Sequence, residues 1–245
     1  SSPSLRRRHF LTLVAGALST TVGLVLFSLL RLGQPKPATT SQIVQTGLQS
    51  KTSGAISVEE ALARRRSVRE YADEPLTIEQ VMQLFWAAQG ITNTEYGFRT
   101  APSAGGTYPL EMYLVTRPSG AVGLEAGIYR YEPRDHTLMK MIGGDFSGEL
   151  MAAALDQEWV GAAPVNFVIT AVFERTTGKY GERGVRYVWQ ETGHAAQNIY
   201  LQAVALGLGN VVVGAFHDAE VRRILGLSDF EKPAYVIPVG VPKTH

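Results

Sequence analysis

The body of the chain, residues 56–245, mixes capped helices with short apolar strands and has no repeating βα unit. Ser57 with Glu60 and Thr77 with Gln80 form capping boxes, and each box predicts the start of a helix. A strict βα alternation would favour a parallel, doubly wound sheet. Because the strands here follow one another without that alternation, the pattern predicts an α+β fold.

Apolar runs predict the strands and one long helix of this body. Val165–Phe173 is almost continuously apolar, which is typical of a central strand. Tyr187–Leu206 is long and largely apolar, and predicts a buried helix. Residues 91–109 have neither period and are predicted to form a long functional loop. The other predicted strands are Glu111–Thr116, Gly127–Tyr131, Leu138–Ile142, Val211–Val213 and Ala234–Val239.

The N-terminal part has a different character. Leu11–Leu30 is a run without any charged residue, and its length matches the hydrocarbon core of a bilayer. We therefore predict a transmembrane or signal helix in residues 1–32, a flexible linker in residues 33–55 and a single domain in residues 56–245.

Two interpretations of the N-terminal helix stay open. Arg6–Arg8, followed by Phe10 and Leu11, resemble a twin-arginine export signal, whereas an ordinary signal anchor would carry the same charges. No clear small-x-small cleavage site follows Leu30, which favours retention as an anchor. Both interpretations predict a membrane-anchored or exported protein with its domain on the extracytoplasmic side, periplasmic or lumenal.

Charge and cysteine content exclude several classes of site. Residues 1–36 contain five basic residues and no acid, whereas the rest of the chain contains 18 basic and 22 acidic residues. A mildly acidic body argues against a nucleic-acid partner. The chain has no cysteine, which excludes thiolate metal sites and a cysteine nucleophile, so that redox chemistry needs a cofactor. No set of His, Asp and Glu has metal-ligand spacing, and no metal site is predicted.

Several short segments could carry chemistry, although each has a structural alternative. Arg64–Arg69 gathers guanidinium groups and a hydroxyl that can bind a phosphate, or it complements the dipole of a helix end. The small residues Pro102–Gly106 let a flat ligand or a phosphate approach the backbone, or they form a simple turn. Val213–Phe216 after a strand and Lys243 after the last strand are weak signals by themselves.

The order of these segments resembles the nitroreductase superfamily, and its SagB-type or thiazole/oxazole peptide dehydrogenase branch in particular. The resemblance covers about residues 57–243 and is carried by RRRSVREYADEPLTIEQVMQLFWAAQGIT, RTAPSAGGTYPLEMYLV, GIYRYEP, KYGERGVRYVWQETGHAAQNIYLQAVALGLG, VGAF and PVG. It implies an antiparallel-type central sheet flanked by helices, and a homodimer with FMN in each of two clefts at the subunit interface.

The resemblance also implies roles for residues of this chain. Arg65, Arg66, Ser67 and Arg69 would bind the phosphate and ribityl chain of FMN, and Lys243 would also reach the phosphate. The loop formed by Pro102, Ser103, Ala104, Gly105 and Gly106 would approach the flavin from the other subunit, and Gly214 with Ala215 would lie beside the isoalloxazine ring.

Lys179 and Tyr180 match a Lys-Tyr pair that is associated with catalysis in the azoline-oxidising members. A lysine can act as a base and a tyrosine can donate a hydrogen bond, although Lys179 and its neighbours also resemble a solvated loop before the long helix. The predicted function is an FMN-dependent oxidoreductase that moves hydride through flavin N5 to or from a small organic substrate, with NAD(P)H as a candidate electron donor. The alternatives are a membrane-tethered flavin-binding sensor and an interaction module without turnover of its own.

Overall fold

The computed structural model describes residues 42–243, and their main feature is a seven-stranded sheet. Its strands lie in the order β1-β6-β5-β4-β7-β9-β8, and every neighbouring pair is antiparallel. The antiparallel sheet expected from the resemblance is therefore confirmed. The strands are β1 (Gln42–Val44), β4 (Leu110–Thr116), β5 (Gly127–Glu132), β6 (Thr137–Gly143), β7 (Val165–Val172), β8 (Gly209–Asn210) and β9 (Glu231–Gly240).

Helices cover both faces of this sheet. On one face α2 and α6 pack onto the sheet, where Phe85 stacks on Tyr131 at 4.8 Å and meets Phe167 edge-on at 4.7 Å between ring centroids. On the other face α3, α4 and α7 bury a second apolar cluster. The helices are α1 (Val58–Arg64), α2 (Ile78–Gln89), α3 (Ser147–Ala153), α4 (Glu158–Ala162), α5 (Glu174–Tyr180), α6 (Arg183–Ala205) and α7 (Asp218–Leu225).

The predicted helix starts form as local chemistry requires. Thr77 Oγ1 accepts from Gln80 N at 3.2 Å, and Gln80 Oε1 accepts from Thr77 N at 2.8 Å, which completes the capping box of α2. Ser57 Oγ accepts from Glu60 N at 3.1 Å, but the Glu60 carboxylate pairs with Arg64 at 2.7 Å. The first box is therefore only half formed, because an i,i+4 ion pair competes for its carboxylate.

Three predictions about local structure need correction. The strand predicted at Val211–Val213 lies instead at Gly209–Asn210, and Val213 forms only a bridge to Val236. The predicted long loop contains a two-stranded hairpin, β2 (Ile91–Asn93) with β3 (Phe98–Arg99), whose connection turns at Gly97 with a φ of 68°. The long helix α6 starts before the predicted boundary and buries only one of its faces, leaving Val185 41% and Trp189 48% exposed.

The predicted membrane location is corrected by the helices themselves. Within residues 42–243, no helix combines the length and the apolar character that a bilayer crossing requires. The membrane-anchored or exported placement and the membrane partner are therefore not retained. Leu11–Leu30, which prompted this prediction, lies outside the described residues. Part of the predicted linker has regular structure, because Gln42–Val44 pairs with β6.

Candidate cofactor-binding and catalytic site

The basic segment Arg65–Arg69 follows α1 and lies along the edge of the sheet. Val68 N donates to Asn210 O at 2.9 Å, which holds the segment against β8. Gly209 permits this close approach, since a Cβ there would lie 2.7 Å from the Cβ of Val68. Glycine at position 209 thus leaves room for the basic segment to lie against β8.

Aromatic side chains hold two of the guanidinium groups of this segment. The Cζ of Arg65 lies 5.1 Å from the ring centroid of Tyr200, and the Cζ of Arg69 lies 5.3 Å from that of Trp159. Both separations suit cation–π contacts. Arg66 donates to the carbonyls of Ala63 and Arg65 at 3.1 and 2.7 Å. Arg66, Ser67 and Arg69 are exposed and Arg65 is half-buried, so the segment presents fixed positive charge at the surface.

Lys243 joins the basic segment through the backbone. Its N–H donates to Glu70 O at 3.0 Å, and Ala72 N donates to Val241 O at 2.9 Å. The residues after β9 therefore run beside the residues after α1. Five residues predicted to bind one phosphate, although far apart in sequence, lie on neighbouring stretches of chain.

The loop Pro102–Gly106 contacts the predicted Lys-Tyr pair directly. Ala104–Gly106 form a short 3₁₀ turn in which Gly105 has a φ of 61°. Lys179 Nζ donates to Gly105 O at 3.2 Å. A Cβ at Gly105 would lie 2.6 Å from Lys179 Nζ and closer still to the hydroxyl of Tyr180. Lys179 and Tyr180 belong to the last turn of α5 rather than to a loop, so the turn and the helix end meet without a gap.

Glu191 of α6 is a buried acid beside the same loop, and the sequence analysis did not single it out. The residue is 2% exposed, and within the described residues neither carboxylate oxygen has a partner in hydrogen-bonding geometry. Burial raises the pKa of Glu191 to about 7, against the opposing effects of Ser103, Arg99 and the Ala104 backbone. An acidic residue inside a helix predicted to be buried was the signal that could have found it.

Gly214 and Ala215 lie at the surface after the backbone bridge between Val213 and Val236. Ala215 O accepts from Gln157 Nε2 at 2.9 Å. Gln157 immediately precedes α4, the helix that carries Trp159 and thereby contacts Arg69. This end of α4 thus contacts Ala215, which is predicted to lie beside the flavin ring, and Arg69, which is predicted to bind the phosphate.

Within one chain the two groups of predicted residues contact different faces of α6. Ser103 lies near Glu191, whereas Ser67 bonds Tyr200, with a distance of 3.1 Å between the hydroxyl oxygens. The two helix positions are nine residues apart, which is two and a half turns and about 14 Å along the axis. They therefore point to opposite sides of the helix, so one chain does not gather both groups in a single pocket.

Comparison with known proteins agrees with this fold. Residues 62–241 match the model of the Nitroreductase family. The chain is 48% identical over 185 residues to the nitroreductase-family protein MJ1384 of Methanocaldococcus jannaschii, covering 76% of this chain and 91% of that protein. A nitroreductase-like protein of Ralstonia eutropha JMP134 superposes with a TM-score of 0.72 at 28% identity, covering 86% of this chain and 95% of the other.

The SagB-type resemblance is confirmed by a more distant relative. The microcin B17-processing protein McbC of Escherichia coli is 30% identical over 132 residues, which cover 53% of this chain and 48% of McbC. The chain thus spans about half the length of that relative. Because the family model covers most of residues 42–243 and MJ1384 matches over nearly its whole length, the chain belongs to the nitroreductase family.

Proposed function

We propose that the protein is an FMN-dependent oxidoreductase that transfers hydride to or from a small organic substrate. The observation that carries this proposal is the contact of Lys179 and Tyr180 with Gly105, the loop residue that family resemblance assigns to the flavin. A residue pair that can manage a proton thereby adjoins the backbone against which a flat cofactor would lie.

The basic edge, which consists of the basic segment Arg65–Arg69 and Lys243, fits the phosphate of FMN. Three arginines, a serine hydroxyl and Lys243 supply the charged and forked donors that a phosphate prefers. Asn210 lies beneath this edge at 1% exposure, and within residues 42–243 its Nδ2 has no hydrogen-bond partner. A buried donor of this kind can be satisfied by a buried water that bridges to a ligand oxygen.

The residues around Gly105 would manage the proton that accompanies hydride transfer. Bound FMN would supply a two-electron carrier whose N5 exchanges hydride with the substrate. When a substrate C–H is lost as hydride, the neighbouring N–H or O–H proton must also leave, and Lys179 Nζ would take part in that proton transfer. The Tyr180 hydroxyl would orient the substrate by a hydrogen bond. In the reductive direction the same amine would return the proton.

A homodimer would complete the site. The basic edge and the loop Pro102–Gly106, here called the Gly105 loop, contact opposite faces of α6. A cofactor that meets both therefore needs each group from a different copy. The exposed face of α6 offers a surface for this pairing, because Val185 and Trp189 are exposed and nothing lies within 4 Å of a Cβ at Gly193. A small residue at the middle of an exposed helix face lets a second helix approach closely.

The first test is the cofactor and its reduction. The full chain is purified, its visible spectrum recorded, and the flavin released by denaturation identified. We expect FMN at about one per subunit, bleached by NADH or NADPH under anaerobic conditions and recoloured by an acceptor. Lys179→Met should retain FMN and lose turnover. Colourless protein that does not take up added FMN would refute the proposal, and bound FMN without turnover for any donor and acceptor pair would favour a flavin-binding module.

The dimer has its own test with matched variants. Val185→Glu places a charge on the exposed face of α6, whereas Val122→Glu places the same charge on a valine that is 56% exposed elsewhere. We expect light scattering to report a dimer for the wild type and for Val122→Glu, and a monomer without FMN for Val185→Glu. A Val185→Glu protein that remains a dimer with full FMN content would contradict the proposed interface.

A further inference from the structure

Tyr200 connects the basic segment to the stretch of chain that follows β8. Val212 N donates to the Tyr200 hydroxyl at 3.0 Å, and the hydroxyl oxygen lies 3.1 Å from Ser67 Oγ. Because the Val212 N–H already occupies one lone pair of that oxygen, the phenolic proton is available for donation to Ser67. The same ring lies 5.1 Å from the Cζ of Arg65. One side chain therefore contacts two of the predicted phosphate ligands.

The two ends of this connection differ in kind, because one is a backbone N–H and the other is an exposed side-chain hydroxyl. Beside Val212, the backbone of Val213 exchanges two hydrogen bonds with Val236, at 2.8 and 3.0 Å. The backbone of Ser67 also bridges to Asn210 of β8, but its side chain is exposed. A hydroxyl rotor on such a segment takes its direction from its hydrogen-bond partner. Tyr200 thus transmits the position of a fixed backbone to a side chain that would otherwise rotate freely.

We propose that Tyr200 is a positioning residue for the phosphate group of the cofactor. Anchored on Val212, it aims the Ser67 hydroxyl and supports the Arg65 guanidinium, so that both donors are ordered before the ligand arrives. This inference rests on the proposed function. It deepens that function by assigning Tyr200 to recognition of the phosphate rather than of the flavin ring.

The alternative is that Tyr200 only packs the helix against its neighbours. The two roles differ in their dependence on the ligand. Loss of packing weakens the binding of any flavin, whereas loss of phosphate positioning weakens FMN and leaves riboflavin, which has the same ring and no phosphate, nearly unaffected. The ratio of the two affinities therefore separates the roles.

The experiment uses the full chain, stripped of flavin and titrated with FMN and with riboflavin by fluorescence quenching. Tyr200→Phe keeps the ring under Arg65 and removes the hydroxyl. We expect the Kd for FMN to rise about 5- to 10-fold, as for the loss of one hydrogen bond, and the Kd for riboflavin to change by less than about twofold. The matched control is Tyr129→Phe in β5. It removes a buried hydroxyl that donates to Glu125 O at 2.8 Å. It should leave both affinities unchanged.

A double-mutant cycle tests the route through Ser67. If Tyr200 acts by aiming Ser67, then Ser67→Ala and Tyr200→Phe together should cost no more FMN affinity than Ser67→Ala alone. Additive losses, equal losses for FMN and riboflavin, or no loss at all would each overturn the inference.

A wild type that does not bind FMN would refute the proposed function and would still leave Tyr200 open to test. Inorganic phosphate then replaces the flavin, and thermal unfolding replaces fluorescence. Stabilisation of the wild type by phosphate that is reduced in Tyr200→Phe supports the positioning role. Equal stabilisation of both proteins, or stabilisation of neither, overturns it.

Discussion

The basic edge and the Gly105 loop solve opposite electrostatic problems. At the edge, Arg66, Ser67 and Arg69 are exposed, so their charges remain hydrated until a ligand arrives. At the loop, Glu191 is buried beside Ser103, Arg99 and the Ala104 backbone, and burial raises its pKa to about 7. Exposed charge favours affinity for an anion, whereas a buried titratable group makes local structure depend on pH. Binding and proton handling can therefore be perturbed separately.

The largest effect on turnover is expected at Gly105. In Gly105→Ala the new methyl would overlap Lys179 Nζ and the Tyr180 hydroxyl, and the positive φ would add strain. Turnover measured with saturating FMN should fall about 100-fold, as displacement of a catalytic group by about 1 Å can cause. Gly106→Ala has the same backbone strain, with a φ of 66°, but its Cβ meets nothing closer than 3.9 Å. Equal losses in the two variants would locate the effect in strain rather than in the Lys-Tyr contact.

Loss of one guanidinium group from the basic edge should lower the affinity for FMN and leave turnover unchanged. Arg66→Ala should weaken FMN binding by roughly 10- to 100-fold, as for a hydrogen bond to a charged group, with turnover unchanged at saturating FMN. Arg64→Ala removes the same charge from the last turn of α1, where Arg64 pairs with Glu60 at 2.7 Å. If both variants lose the same affinity, net charge rather than the predicted ligand set would explain FMN binding.

The buried Glu191 should make the folding stability of the protein depend on pH. The folded-state pKa of Glu191 lies near 7, above its ordinary value of 4.5, so the folded protein binds more protons between these values and loses stability as pH rises through them. Glu191→Gln mimics the neutral acid and should stabilise the protein at pH 8 by roughly 1–2 kcal/mol, with little effect at pH 5. Chemical denaturation at both pH values measures this difference. Glu182→Gln, at the exposed start of α6, is the control, and parallel profiles for all three proteins would exclude Glu191 as the cause.

The smallest effect is expected at the aromatic support of Arg69. Trp159→Leu removes the ring that lies 5.3 Å from the Arg69 Cζ. A partly exposed cation–π contact contributes about 0.5–1 kcal/mol, so the Kd for FMN should rise about two- to fivefold. Equilibrium titration resolves a change of this size. If the ring acts only through Arg69, Trp159→Leu should cause no further loss of FMN affinity in an Arg69→Ala background.

Local signals and family motifs predicted much of this arrangement. The Thr77 cap depends on residues within one helical turn, and β7 depends on a continuous apolar run, so both could be predicted from short windows of sequence. The basic segment and the Lys-Tyr pair were available because whole motifs resemble a family. Their contacts were not, since the close approach of Lys179 to Gly105 joins residues 74 positions apart.

The residues that were missed act through tertiary contacts. Tyr200 and Trp159 occupy ordinary helix positions, and only the fold puts their rings beside Arg65 and Arg69. The β2–β3 hairpin was missed for a different reason, because its strands are too short to show a period. Membrane crossing was predicted from the apolar length of Leu11–Leu30 and from the arginines before it, and the helices of residues 42–243 gave it no support.

Because β7 is an interior strand of the sheet, hydrogen exchange at its amides reports the stability of the whole domain. Its neighbours β4 and β9 are paired with it from Val165 to Ala171 on both edges. The amide protons in the middle of such a strand exchange with deuterium only when the domain opens globally, whereas residues 65–69, outside the ladders, exchange through local opening. Exchange at β7 therefore reports the free energy of global unfolding. Exchange at residues 65–69 reports whether a ligand is bound at the basic edge. One mass-spectrometric time course would read both quantities from the same sample.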